Sequence, residues 1–179
     1  RRITIMGAIS EIIEEPLTRQ ALALRYRELC SDTRFSNLHG KLEIDFWGRI
    51  TMSPASNYHS LLQSRLSQRL LPLGGQAFVE ASILTSLGLS VADVAWASAD
   101  FMAKHGTQTP YPQAPELCIE IASPSNSRKE LKEKMEAYLA AGAHEAWIVL
   151  PQGRRFEFYS AAGLIERTKF DIDLLGMFA

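Results

Sequence analysis

Residues 115–151, PELCIEIASPSNSRKELKEKMEAYLAAGAHEAWIVLP, read as strand, turn, helix and strand, with a carboxylate where a carboxylate is costly. Leu117 to Ala122 is a short apolar run typical of a strand buried on both faces, and Glu120 sits in its middle. An isolated carboxylate there costs several kcal/mol or takes up a proton, so the pattern predicts a cation or a proton beside it. Ser123-Pro124-Ser125 ends the strand, and Asn126 or Ser127 caps a helix that continues to about Ala141. Leu131, Met135, Tyr138 and Leu139 form its apolar stripe. Lys134 flanks that stripe, whereas Lys132 and Glu133 point further away. Because a helix following a strand packs back over it, Lys134 is carried toward Glu120. Gly142 stops the helix, and Ala146 to Leu150 begins the next strand.

Working outward, a second strand repeats the anomaly. Ser90 to Ala97 is apolar except for Asp93, which alternation places with Val91 and Ala95, opposite Val94 and Trp96. Ala77 to Leu84 precedes it as a strand after a break at Gly74 and Gly75, with Glu80 as an edge or partner charge. Asp100 to Gln113 joins the two acid-bearing strands and is long enough for a mobile flap, from which Lys104 and His105 would reach a phosphate or simply decorate the surface. Upstream, Pro16 to Leu29 reads as a helix. Leu42 to Asp45 and Arg49 to Met52 read as strands around a Phe46-Trp47-Gly48 turn. Tyr58 to Leu71 follows as a second helix with Leu61, Leu62, Leu66 and Leu70 on its buried side. Phe156 to Ser160 is a further strand after a turn at Arg154 and Arg155, and the apolar tail from Lys169 to Ala179 should be docked rather than free.

The run E-I-A-S-P-S, the helix K-M-E-A-Y-L-A-A-G-A and the strand E-A-W-I-V-L-P resemble the restriction endonuclease-like domain family of the PD-(D/E)XK nuclease superfamily. The resemblance extends from about Lys41 to Tyr159. It implies an α/β fold, a central mixed β-sheet flanked by helices. It also implies metal-dependent phosphodiester hydrolysis of DNA. The superfamily lysine two residues after the second acid is Ala122 here, and the family supplies it from the following helix, which matches Lys134. The proline usually found before the first acid is Ala92. Glu43 matches a glutamate in the family's first strand pair, and His59 coincides with a family histidine. The bland reading of His59 is a first-turn surface or capping residue; the sharper one is a phosphate contact. With His59, Arg128 and Lys129 are the candidate DNA contacts.

At 179 residues, 46% hydrophobic and 22% charged, the chain fits one globular domain, with residues 1–40 as a helical segment and 41–179 as the nuclease-like core. Arg1 to Ile5 precede Met6, a candidate start, and read as an extended or added arm. No apolar run approaches the ~18–20 residues needed to cross a bilayer, and no signal-peptide pattern opens the chain. Two cysteines make no disulfide framework, so a reducing cytoplasm is expected. A net charge of −1 argues against an indiscriminate polyanion binder and confines any nucleic-acid contact to a local patch or a metal-neutralised site. Phosphate-loop, dinucleotide, serine-hydrolase and zincin motifs are all lacking.

Two carboxylates ~4 Å apart repel by ~4 kcal/mol at an effective dielectric near 20, so Asp93 and Glu120 stay ionised together only beside a cation. Oxygen donors select hard ions, and Mg²⁺ or Mn²⁺ suits such a site. On this reading Asp93 and Glu120 bind the metal, Glu43 assists, and Lys134 orients the attacking water. Asp93→Asn would then relieve repulsion in the metal-free protein. The partners expected are DNA and a second copy of the chain, since cutting both strands of a duplex takes two sites; no membrane is expected. Two alternatives stand beside it. Glu120 and Lys134 form an inert buried salt bridge in a catalytically silent binding or assembly module, or the same site acts on RNA or branched DNA.

Overall fold

A computed structural model describes residues 3–4, 15–35, 40–53 and 55–179; Met6, Asn37 and Pro54 lie outside the described residues. The elements in chain order are β1 (Ile3–Thr4), α1 (Arg19–Ser31), β2 (Lys41–Ile44), β3 (Ile50–Ser53), α2 (Asn57–Leu70), β4 (Gln76–Thr85) and β5 (Gly88–Ala97). They continue with α3 (Ala99–His105), β6 (Leu117–Ile121), α4 (Arg128–Ala140), β7 (Glu145–Leu150), β8 (Arg155–Ser160) and β9 (Gly163–Ile165). Side-chain oxygens set the helix starts. Thr18, Ser56 and Ser98 cap α1, α2 and α3, and Ser127 with Glu130 forms a reciprocal capping box on α4. Each such cap contributes about 1 kcal/mol. None of the described helices is long and apolar enough to cross a membrane.

The described strands form one mixed sheet in the order β1-β3-β2-β5-β6-β7-β8-β9, with β4 paired to β5. Only β6 and β7 run parallel, joined by the α4 crossover. β4 covers one edge of β5 from Gln76↔Ala97 to Thr85↔Gly88. The other edge of β5 is shared. β6 pairs with Val94–Trp96, β2 touches it only at Ile44↔Leu89, and the edge forks between them. Gly88 holds the β2 arm of this fork: at φ +113° an added Cβ would lie 2.4 Å from the Ile44 carbonyl oxygen.

Both faces of the sheet are covered. Leu131, Met135 and Tyr138 of α4 pack on Cys118, Ala122 and Ile148. On the opposite face Leu62, Leu66 and Leu70 of α2 pack on Val94, Ile119 and Trp147. The C-terminal segment is docked against that second layer, with Met177 buried and Phe170, Ile172 and Phe178 beside it. Leu61, expected on the buried side of α2, is instead 45% exposed, because the stripe that meets the sheet is Leu62-Leu66-Leu70.

Two further expectations are corrected. The Asp100–Gln113 connection is no flap. Phe101 and Tyr111 are buried, and Tyr111 bonds through its backbone to Ser82 and Leu84 of β4. Lys104 bonds Gln113 and His105 packs on Phe101, so neither faces the two acids. Alternation along β5 is also broken. Ala92 and Ala95, three residues apart, lie in the same layer, as do Phe78 and Ala81 of β4. Glu80, between those β4 residues, has φ +55°, a left-handed conformation that costs a non-glycine residue about 1–2 kcal/mol. Asp93 therefore does not simply follow the faces of Val91 and Ala95; it turns into the fork.

Candidate active site

The fork is where the buried charges collect. A forked edge leaves ladder donors without strand partners, and two carboxylates take them. Asp93 Oδ2 accepts from the Ile121 N–H at 2.7 Å, and Glu43 Oε1 accepts from the Val91 N–H at 2.9 Å. Both acids thus complete the sheet at the point where its strands separate. Glu120 reaches the same point from the α4 side of β6. Its Oε1 accepts from the Tyr138 hydroxyl at 2.6 Å and from Lys134 Nζ at 3.3 Å, two residues one helical turn apart on α4. Lys134 Nζ also donates to Glu43 Oε1 at 2.7 Å.

A second ammonium holds the other side. Lys41 Nζ lies 2.9 Å from Asp93 Oδ1 and 2.7 Å from Glu120 Oε2, with its side chain only 9% exposed. His59, in the first turn of α2, places Nε2 3.5 Å from Asp93 Oδ1. Gln63, one turn on, donates to Glu80 Oε1 and to the Asp93 carbonyl. These groups line a cleft of about 480 Å³, closed on one side by the loop from Ser123 to Asn126.

Burial and charge set the protonation states. Burial would raise the Asp93 carboxyl, but Lys41, His59 and the Ile121 N–H outweigh it and hold Asp93 below the usual range. Glu43 is likewise held low, burial being overcome by Lys134 and Lys41. Burial wins at Glu120 and raises it, with Asp93 and Glu43 adding to the effect against the two lysines. Burial opposes the Lys41 charge, yet Asp93, Glu120 and Glu43 keep its proton bound well above the ordinary lysine value. His59 is raised because Asp93 overcomes the cost of burying the imidazolium. Burial, then Glu120 and Glu43, push Tyr138 up, so it remains a donor.

Of the residues singled out in the sequence, Asp93, Glu120, Glu43, Lys134 and His59 come together. Arg128 and Lys129 do not: Arg128 pairs with Glu157 at 2.9 Å, and Lys129 lies 3.7 Å from Glu133 on the outer face of α4. Lys41, Tyr138, Gln63 and Glu80 were missed as site residues. Lys41 had a readable signal, because it stands two residues before Glu43 in a strand and so shares its face. Tyr138 belongs to the apolar stripe of α4, and its hydroxyl, fully buried, needs a partner, which Glu120 supplies.

Whether these donors suit a divalent ion can be tested on the geometry. Asp93 Oδ1 and Glu120 Oε2, from different strands, converge at hydrogen-bond distance on one cation, and carboxylate oxygens so placed are the hard donors that Mg²⁺ or Mn²⁺ takes. That cation is Lys41 Nζ. Among the described residues no three His, Cys, Asp or Glu side chains group to hold an ion. The donors fit; the room for the ion depends on Lys41.

The sequence pattern of the Uma2 family, described as "Putative restriction endonuclease", matches residues 25–172. No curated protein matches the sequence. Among solved structures, a putative nuclease belonging to DUF820 from Anabaena variabilis ATCC 29413 superposes with a TM-score of 0.52. The match is at 20% identity, over 63% of this chain and 68% of that one, a likeness of fold.

Proposed function

Since the chain belongs to the Uma2 family, within the restriction endonuclease-like PD-(D/E)XK nucleases, we propose that it hydrolyses phosphodiester bonds of DNA with Mg²⁺ or Mn²⁺ at the β5–β6 fork. The observation that supports this most directly is the convergence of Asp93 and Glu120 on a single cationic point, with a second lysine alongside. Asp93 and Glu120 would hold the ion, which when bound polarises a phosphate and acidifies water.

The chain's own residues do the rest. Lys134, fixed between Glu43 and Glu120, directs an N–H bond toward the attacking water or the charge developing on phosphorus. Glu43 keeps that ammonium in place and takes no direct part in holding the ion. Tyr138 keeps Glu120 oriented, leaving Oε2 directed at the cation. His59, at the first turn of α2, meets an incoming phosphate beside a helix N-terminus, where the dipole favours anions. Arg128 and Lys129, already paired with acids away from the cleft, are left outside this machinery. A homodimer would supply the second site that double-strand cleavage requires.

A silent binding module is the second reading, and the Lys41 ammonium between the two acids is what favours it. Incubating supercoiled plasmid with the protein and Mg²⁺ or Mn²⁺ separates the two. Nicked and linear products, abolished by Asp93→Asn, are expected. Intact plasmid, together with intact single-stranded DNA, branched DNA and RNA, would leave the module.

A further inference from the structure

We propose that the Lys41 ammonium is a resident cation which a divalent metal ion must displace, so that metal enters this site by exchange and not by simple addition. The inference rests on the nuclease reading only in taking Asp93 and Glu120 as the metal-holding pair. Its ground is that one lysine contacts both of them, at 2.9 and 2.7 Å, on the oxygens that face the cleft. The other oxygen of each acid is already engaged by the fold. Asp93 Oδ2 is committed to the Ile121 N–H, and Glu120 Oε1 to Tyr138 and Lys134. Asp93 Oδ1 and Glu120 Oε2 are therefore the oxygens that would be left to a metal ion, and Lys41 holds both, with His59 Nε2 3.5 Å from Oδ1.

The two lysines are not equivalent in this exchange. Lys134 projects from the middle of a capped helix, is tied to Glu43, and touches only one of the two acids. Lys41 opens β2, directly after the exposed Gly40, and both residues line the cleft together with Ser53 and His59. Its side chain can withdraw into that cleft while its backbone stays paired to Ser53. Charge favours the exchange. Glu43, Asp93 and Glu120 are in contact with two ammonium groups, and a divalent ion in place of Lys41 would raise the positive charge held against these three acids from two to three, with His59 and Glu80 beside them in the cleft. A released Lys41 would then stand in the cleft as a donor for the phosphate that follows.

The test is metal binding without nucleic acid. Mn²⁺ is titrated into the wild-type protein, Lys41→Met and the exposed control Lys132→Met, with free Mn²⁺ read by electron paramagnetic resonance. Lys41→Met should bind at least about tenfold more tightly than wild type, because close charge pairs couple by more than the free energy of one decade. Lys132→Met should match wild type. Equal or weaker binding by Lys41→Met, or no binding by either protein at millimolar Mn²⁺, overturns the proposal. Should Lys41→Met fail to fold, amine acylation of the wild type read by mass spectrometry decides it. Labelling of Lys41 should rise severalfold with Mn²⁺ while that of Lys129 and Lys132 stays level, and unchanged Lys41 labelling overturns it. If these shifts appear and no nucleic acid is cut, the nuclease reading fails and the exchange stands.

Discussion

Replacing Lys134 with Met tests whether the displaced lysine belongs to the site or merely decorates α4. The side chain keeps its length and loses its charge, leaving Glu43 without its 2.7 Å partner and Glu120 with one cation fewer. Breaking a buried ion pair from one side costs about 3–5 kcal/mol. Lys41 still contacts Glu120, so the low end applies, roughly 3 kcal/mol. For a chain of this size that lowers Tm by about 6–12 °C. Lys132→Met, on the exposed face two residues away, should stay within about 0.5 kcal/mol of wild type. The double variant Glu43→Gln/Lys134→Met should recover about half of the loss, since it no longer buries an unpaired carboxylate. Calorimetric melts without added metal measure all three. Plasmid nicking should fall ~10²-fold in Lys134→Met, the scale of one lost transition-state donor. A Lys134→Met protein that melts and cuts like Lys132→Met would refute the role given to this lysine.

Three other outcomes are expected. Asp93→Asn should destabilise the metal-free protein by roughly 3 kcal/mol in urea melts, because it leaves Lys41 and His59 short of their counter-charge; a more stable variant would restore the repulsion picture. His59 has a raised folded-state value, so its contribution is complete below the ordinary imidazole value of 6.5 and is lost as pH rises through the folded value. Apo stability measured from about pH 6 to 9 should therefore decline in wild type and decline less in His59→Gln. Gly88→Ala forces a Cβ against the Ile44 carbonyl at positive φ, and should cost more than about 1 kcal/mol with partial loss of the β2 arm, visible as faster amide exchange at Ile44.

Periodicity carried most of the architecture. The strand–helix–strand unit from Leu117 to Leu150, the capping serine of α4 and the acid-bearing strands all lie within a residue or two of where local pattern put them. The same local logic failed where the sheet departs from regularity. Strict alternation could not anticipate that Glu80 would take φ +55°, or that Asp93 would turn into a gap between β2 and β6. Nor could it show that the Asp100–Gln113 connection is pinned by Tyr111 to β4, since that depends on a bridge formed across the fold.

For the site, the chain alone determined that Glu120 had to find a cation or a proton, because burying a bare carboxylate in an apolar strand is untenable otherwise. Helix position, together with the family resemblance, nominated Lys134, which reaches the strand because α4 packs back over β6. Which cation stands between Asp93 and Glu120 was decided only in three dimensions. Lys41 is 52 residues from one acid and 79 from the other, and it joins them because β2 and β6 diverge along one edge of β5. Such a contact is set by strand order, and strand order is a property of the assembled sheet that no local periodicity encodes.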